Sequence, residues 1–187
     1  MVSVRIAKKK FTVREYNLMA KTGILQEGDR LELIEGEIVE ISPVGTNHAT
    51  CVRRLNQLFS RLPEERVLVD VQNPIELSVR TEPQPDLVLL QPRPDYYESG
   101  HPTASAVLLL VEVSDSTVDF DRKVKMPIYA RSQIQEVWLV ELGQECIEVY
   151  RQPTSNGYSL VQKFWRGQQL SPSAFPDFDV SVDFVIG

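Results

Sequence analysis

Glu112 ends an apolar run of strand length, Ala106-Val107-Leu108-Leu109-Leu110-Val111, and is followed by Val113 and Ser114. Such a run reads as a strand buried on both faces, in the middle of a sheet covered by helices. A carboxylate at its end is costly unless a cation, a metal ion or several hydrogen-bond donors meet it. A second acid stands in the same relation to a second run: Asp86, in Gln84-Pro85-Asp86, opens Leu87-Val88-Leu89-Leu90. Downstream lies a charged cluster, Asp121-Arg122-Lys123-Val124-Lys125. Asp, Glu and Lys brought together by adjacent strands are the minimum set for metal-assisted hydrolysis of a phosphodiester.

Side chains alternate along a strand, so Glu112 and Ser114 share one face while Val111 and Val113 share the other. Asp86 meets Glu112 only if the two strands are neighbours with their ends in register. Two carboxylates, the backbone carbonyl of Val113 and water would then suit a hard octahedral cation, Mg2+ or Mn2+. A lysine nearby would orient the attacking water or stabilise the charge of the transition state. Lys123 and Lys125 are the candidates. Two residues apart on a helix is about 200° of rotation, so both cannot face one site. Pro127 disturbs that helix, which leaves the choice of face open. Glu37, after the turn Glu35-Gly36, could hold a metal-bound water, and it equally fits a solvated hairpin residue. His48 could contact a phosphate, or cap and pack a helix. Tyr96, Tyr97, Trp138 and Trp165 fit core or interface positions better than base-stacking platforms.

The elements that must position these residues follow from periodicity and punctuation. Thr12-Val13-Arg14-Glu15 has the form of a capping box and predicts a helix to about Lys21, with Gly23 as its stop. Runs at 30–34 and 37–41 flank Glu35-Gly36 and predict a hairpin. Apolar residues at Ala49, Val52, Leu55, Leu58, Phe59 and Leu62 predict an amphipathic helix over 46–62, stopped by Pro63. Strands are expected at 66–71, 74–79, 86–91 and 106–113, then a helix over about 120–131 and strands at 136–141, 146–151 and 158–164. The tail ends in alternating Phe178, Val180, Val182 and Phe184. That pattern suits an uncovered strand, which invites pairing with a second copy and predicts a homodimer. Together the order predicts an α/β fold, a mixed sheet with helices on its faces.

The chain has 187 residues, 42% of them hydrophobic, enough for a single domain over 1–187 with a sizeable core. No run of about 18 apolar residues is present, so no membrane partner is expected. Lys8-Lys9-Lys10 is followed by no apolar stretch of the secretory kind. A cytoplasmic protein with two free thiols, Cys51 and Cys146, is therefore expected. The net charge of −6 argues against a protein that coats nucleic acid through a basic surface. It does not argue against a nuclease, whose acidic cleft is offset by the ion it binds.

Several segments resemble the Uma-two family of restriction-endonuclease-like proteins. They are Leu31-Glu32-Leu33-Ile34-Glu35-Gly36-Glu37-Ile38, Ser42-Pro43 with His48, Gln72-Asn73-Pro74-Ile75 and Gln84-Pro85-Asp86. The resemblance continues through Leu110-Val111-Glu112-Val113-Ser114-Asp115-Ser116-Thr117, Lys125 with Tyr129, and Glu136-Val137-Trp138-Leu139-Val140, and covers about 30–163. That family is placed in the PD-(D/E)xK nuclease superfamily. The resemblance implies a restriction-endonuclease-like central mixed sheet flanked by helices, a Mg2+-dependent site acting on DNA, and a homodimer. It makes Asp86 the motif aspartate and Glu112 the motif glutamate. The usual superfamily lysine would stand at 114, where this chain has Ser114. The family pattern moves it to the following helix, which points to Lys125 rather than Lys123. Two other readings stand beside a DNA endonuclease. One is a catalytically inactive binding or assembly module of the same fold, which the acidic charge and the serine at 114 favour. The other is a metal-dependent hydrolase of small phosphorylated molecules.

Overall fold

The computed structural model describes residues 7–26, 28–41 and 45–187. The Ser42-Pro43 pair of the resemblance lies outside them. The chain divides into two compact units, Met1–Pro43 with Glu76–Pro83, and Val44–Ile75 with Gln84–Gly187.

In the first unit, helix α1 (Val13–Lys21) starts on the expected capping box: Thr12 accepts from the Glu15 N–H, and the Glu15 side chain accepts from the Thr12 N–H. Strands β1 (Leu31–Ile34) and β2 (Glu37–Glu40) form an antiparallel hairpin with Ile34 opposite Glu37. Its two turn residues, Glu35 and Gly36, have φ of 50° and 80°. That left-handed pair is what a tight hairpin turn requires. Gly36 is needed for space as well, because a Cβ there would come within 2.9 Å of Lys10 Cβ and 3.0 Å of the Phe11 carbonyl oxygen. The predicted strand over 74–79 does not form. Glu76–Pro83 belongs to the first unit, where its pairing is in isolated bridges, among them Ser78 to Thr81 and Leu33 to Glu82. Pro74, which lacks an N–H, precedes it, and the turn at Val79-Arg80 folds the segment on itself.

The second unit holds the sheet. Helix α2 (Thr46–Phe59) leads into β3 (Leu68–Val71), β4 (Leu87–Leu90) and β5 (Val107–Ser114). A continuous helical stretch follows, built from α3 (Val118–Phe120), a π-helical turn (Asp121–Lys125) and α4 (Met126–Arg131). Strands β6 (Glu136–Glu141), β7 (Cys146–Thr154) and β8 (Gly157–Trp165) complete a six-stranded sheet in the order β3-β4-β5-β6-β7-β8. Every pairing is antiparallel except β5 with β6, the one pair joined by the helical crossover. The sheet is thus mixed and flanked by helices, as the element order predicts. Leu109, Val111 and Val113 of β5 face the core formed with α2, Trp138 and Val140. By alternation Leu110, Glu112 and Ser114 face the crossover helices. Trp138 is fully buried, stacked at a tilt against Phe59, and its indole N–H donates to Glu136. Tyr96 and Trp165 are exposed.

The tail corrects the expectation of an uncovered strand. Val180–Ser181 (β10) pairs within the chain with Gln169–Leu170 (β9), and Val182–Ile186 is a short helix, α5. The Ser181 hydroxyl caps it by accepting from the Phe184 N–H, so the period changes from two to helical at that residue. Val180, Val182 and Val185 are fully buried in the core beside α2. The tail therefore offers no free strand for a second copy. Each of these valines contributes about 1.5–3 kcal/mol by burial. Deleting Asp179–Gly187 is expected to remove about 5–9 kcal/mol, comparable with the stability of a whole domain. Circular dichroism on the truncated chain checks this: cooperative melting at the full-length temperature would show the tail to be dispensable.

Candidate active site

Asp86 and Glu112 come from neighbouring strands. In the β4–β5 pair Leu87 lies opposite Val111, and continuing that antiparallel register by one residue sets Asp86 opposite Glu112. Residues so paired share a face of the sheet. The two strands are neighbours, as the site requires, and Asp86 stands one residue beyond the paired segment.

Asp86 is buried and held from three directions. Its Oδ2 accepts the Val113 N–H at 2.9 Å and lies 3.0 Å from His48 Nε2, at the start of α2. Its Oδ1 accepts from Gln72 Nε2 at 3.3 Å. Gln72 is itself fixed: it has a φ of 53°, its N–H donates to the Asp86 carbonyl, and its own carbonyl accepts from Gln84. With Asp86 ionised, His48 Nε2 is the donor, and its Nδ1 is buried with no hydrogen-bond partner among the described residues. Cys51, one turn along α2, is not poised as a nucleophile. Burial, with the Asp86 charge adding to it, pushes its thiol up to about 12.

Glu112 is held from the helical side. Its Oε1 accepts from Lys125 Nζ at 3.1 Å and from the Tyr129 hydroxyl at 2.5 Å. The Glu112 and Lys125 side chains are only 4% and 6% exposed. Lys123 points away, 69% exposed and paired with Asp119 at 3.0 Å. The π-turn produces this choice: the Met126 N–H donates to the Asp121 carbonyl, five residues back instead of four. Glu37, in the first unit, is a solvated hairpin residue paired with Lys10 at 2.8 Å.

The structure adds residues that sequence reasoning did not assign. Asp121 is buried, with Oδ1 4.0 Å from Lys125 Nζ and Oδ2 accepting from the Thr117 hydroxyl at 3.1 Å. Ser114 Oγ lies 3.2 Å from that same hydroxyl, so the serine belongs to this small polar group. Burial raises the Asp121 carboxyl above the usual range, against the pull of Lys125, Ser114 and Thr117. The four-residue spacing of Asp121 and Lys125 is a signal for such a pair that was legible in the sequence. Arg122 ties the π-turn to the sheet, donating to Glu148 at 2.9 and 3.2 Å and to Glu141 at 2.8 Å. Among the described residues no three His, Cys, Asp or Glu side chains converge in a way that would hold an ion.

Comparison with known proteins follows the same line. The crystal structure of a "putative nuclease belonging to DUF820" from Anabaena variabilis ATCC 29413 superposes with a TM-score of 0.68. The match covers 94% of this chain and 97% of that one at 16% sequence identity, so the likeness is one of fold. No curated protein matches the chain. The model of the family described as "Uma2: Putative restriction endonuclease" matches residues 13–183, and on that match the chain belongs to the Uma2 family.

Proposed function

We propose that this chain is a metal-dependent endonuclease that hydrolyses phosphodiester bonds in DNA. Asp86 and Glu112 are the proposed ligands of Mg2+ or Mn2+, with the Val113 carbonyl as a third donor and Lys125 as the cationic partner. The observation that carries the reading is the buried Lys125–Glu112 pair, set on a central strand beside the strand that Asp86 opens. Membership of a family described as "Putative restriction endonuclease" and the fold shared with a "putative nuclease" support it.

The donor set fits the ion. Mg2+ is commonly bound through one or two carboxylates, with water and substrate oxygens completing the octahedron. Asp86 reaches the Val113 N–H, so its carboxylate lies against the residue that follows Glu112. When bound, the ion supplies polarisation of the phosphate and a water of lowered pKa. The residues supply the rest. His48 and Gln72 fix the Asp86 carboxylate, and Tyr129 fixes that of Glu112. The Lys125 ammonium, in a site of low dielectric, offsets negative charge as it grows on the phosphate. Ser114 carries no charge, and Lys125 takes the cationic role from the helix. If Lys125 fails in that role, a non-catalytic binding module of the same fold is the reading that the serine favours.

Glu112→Gln is expected to abolish Mg2+- or Mn2+-dependent nicking of plasmid DNA. It also removes the partner of a buried ammonium, a change that costs about 3–5 kcal/mol when nothing else meets the cation. Asp121 remains within 4.0 Å of Lys125, so the melting temperature should fall by less than that implies. Wild-type protein that cuts no DNA with either metal would end the endonuclease reading.

Lys125→Met should lower cutting by about 100-fold or more, the scale of losing one charge-stabilising group. Lys123→Met should leave the rate within about a factor of two, because its charge is solvated and pairs with the exposed Asp119. Equal losses in the two variants would detach the role from Lys125. Cutting both strands of a duplex calls for two sites, which a homodimer supplies. Light scattering at micromolar concentration should give twice the chain mass, and a monomer that makes double-strand breaks would refute the pairing.

A further inference from the structure

Lys125 and Tyr129, both donors to Glu112, differ in a way that would matter with a divalent cation present. Lys125 brings a full positive charge to Oε1, and Tyr129 brings a neutral hydroxyl. With a cation held by Glu112, the Lys125 ammonium would be repelled at short range, while the Tyr129 hydroxyl bond would be unopposed. Lys125 also has a second acceptor already in reach, Asp121 Oδ1 at 4.0 Å. Asp121 stays in place because the Thr117 hydroxyl holds its other oxygen. Tyr129 cannot swing away, since its ring is fully buried in α4 against the sheet.

We infer that Tyr129 is the positioning residue of the metal centre: its hydroxyl holds the Glu112 carboxylate while the Lys125 ammonium yields that carboxylate and passes to Asp121. The inference rests on the metal-dependent reading above and deepens it. Tyr129 touches neither substrate nor ion in this scheme. It acts through Glu112, as groups hydrogen-bonded to metal ligands do, fixing the orientation of the carboxylate before the ion arrives. Lys125 acts in the opposite sense on loading, because it competes for the same oxygen.

The signature is therefore a pair of opposite signs in Mn2+ affinity, read by titration calorimetry without any DNA. Tyr129→Phe keeps the ring and should weaken Mn2+ binding by about 10–100-fold. Lys125→Met should tighten it by about tenfold, although the same variant should cut DNA about 100-fold more slowly. Tyr150→Phe is the control. It removes another buried hydroxyl that donates to a carboxylate, Glu148, which Arg122 and Lys163 still hold. It should leave Mn2+ affinity within about a factor of two, since Glu148 is not a proposed ligand. Wild-type protein that takes up no Mn2+ overturns the metal centre, and this inference with it. Wild-type protein that binds Mn2+ while Tyr129→Phe binds it equally well overturns this inference alone. Should Tyr129→Phe fail to fold, Lys125→Met decides: weaker Mn2+ binding there would show that the ammonium supports the carboxylate instead of yielding it.

Discussion

The candidate site is organised around a buried ion pair, Glu112 with Lys125. Taking two charges out of water costs several kcal/mol each, and their attraction repays this only with good geometry and further hydrogen bonds. Well-packed apolar side chains would commonly serve stability as well or better. The pair is therefore a poor explanation of why the protein is stable. What the surroundings do explain is how it is tolerated. Tyr129 shares Oε1, Asp121 faces the ammonium, and Thr117 and Ser114 surround Asp121. A set of polar groups this complete, at the end of an apolar central strand, is the arrangement expected where chemistry rather than packing sets the residue types.

Pro127 and the π-turn form the second constraint. A proline has no N–H, so in a regular α-helix the Lys123 carbonyl would lose its partner. The widened turn lets the Met126 N–H reach Asp121 instead. It turns Asp121 and Lys125 inward together and sends Lys123 out to Asp119. Arg122 locks the turn through Glu148 and Glu141 on β7 and β6. Burial works against ionisation of Glu148, but hydrogen bonds from Arg122, Lys163 and Tyr150 hold its carboxyl below the usual range. A carboxyl whose folded-state pKa is lowered contributes stability above its unfolded pKa, and that contribution is lost as pH falls through the folded value. The clamp on the π-turn is thus at full strength at neutral pH and weakens in acid.

Much of this was legible in the sequence. The capping box at Thr12, the Glu35-Gly36 hairpin and the strands at 136–141 and 146–151 are set by local chemistry and strict periodicity, and the structure has them at or near those positions. The neighbouring acids were legible because each interrupts the polarity of an apolar run. The π-turn was not, since one extra residue in a turn leaves no periodic trace over five residues. The tail was misread because Phe178, Val180, Val182 and Phe184 alternate, while the Ser181 cap that starts a helix acts through a single hydrogen bond. Arg122 was hidden in a stretch that reads as a solvated basic cluster, because its partners Glu141 and Glu148 are distant in sequence, and Asp121 showed there only through its four-residue spacing from Lys125.

The formal charge of −6 reads differently once burial is known. Among the described residues eight carboxylates are buried: Glu32, Glu82, Asp86, Glu112, Asp121, Glu136, Glu141 and Glu148. Lys125 is the one buried cation among them. Several of these acids are matched by basic groups reaching in from outside, as Arg151 does for Glu136 and Lys163 for Glu148. The buried acids still outnumber Lys125 and the bases that reach in to them, so part of the excess of negative charge lies inside the molecule. Charge at the surface is what an approaching polyanion meets beyond a Debye length, about 8 Å at physiological salt. The formal charge therefore overstates how acidic the exposed surface is, because part of it belongs to buried carboxylates that are met by Arg and Lys side chains.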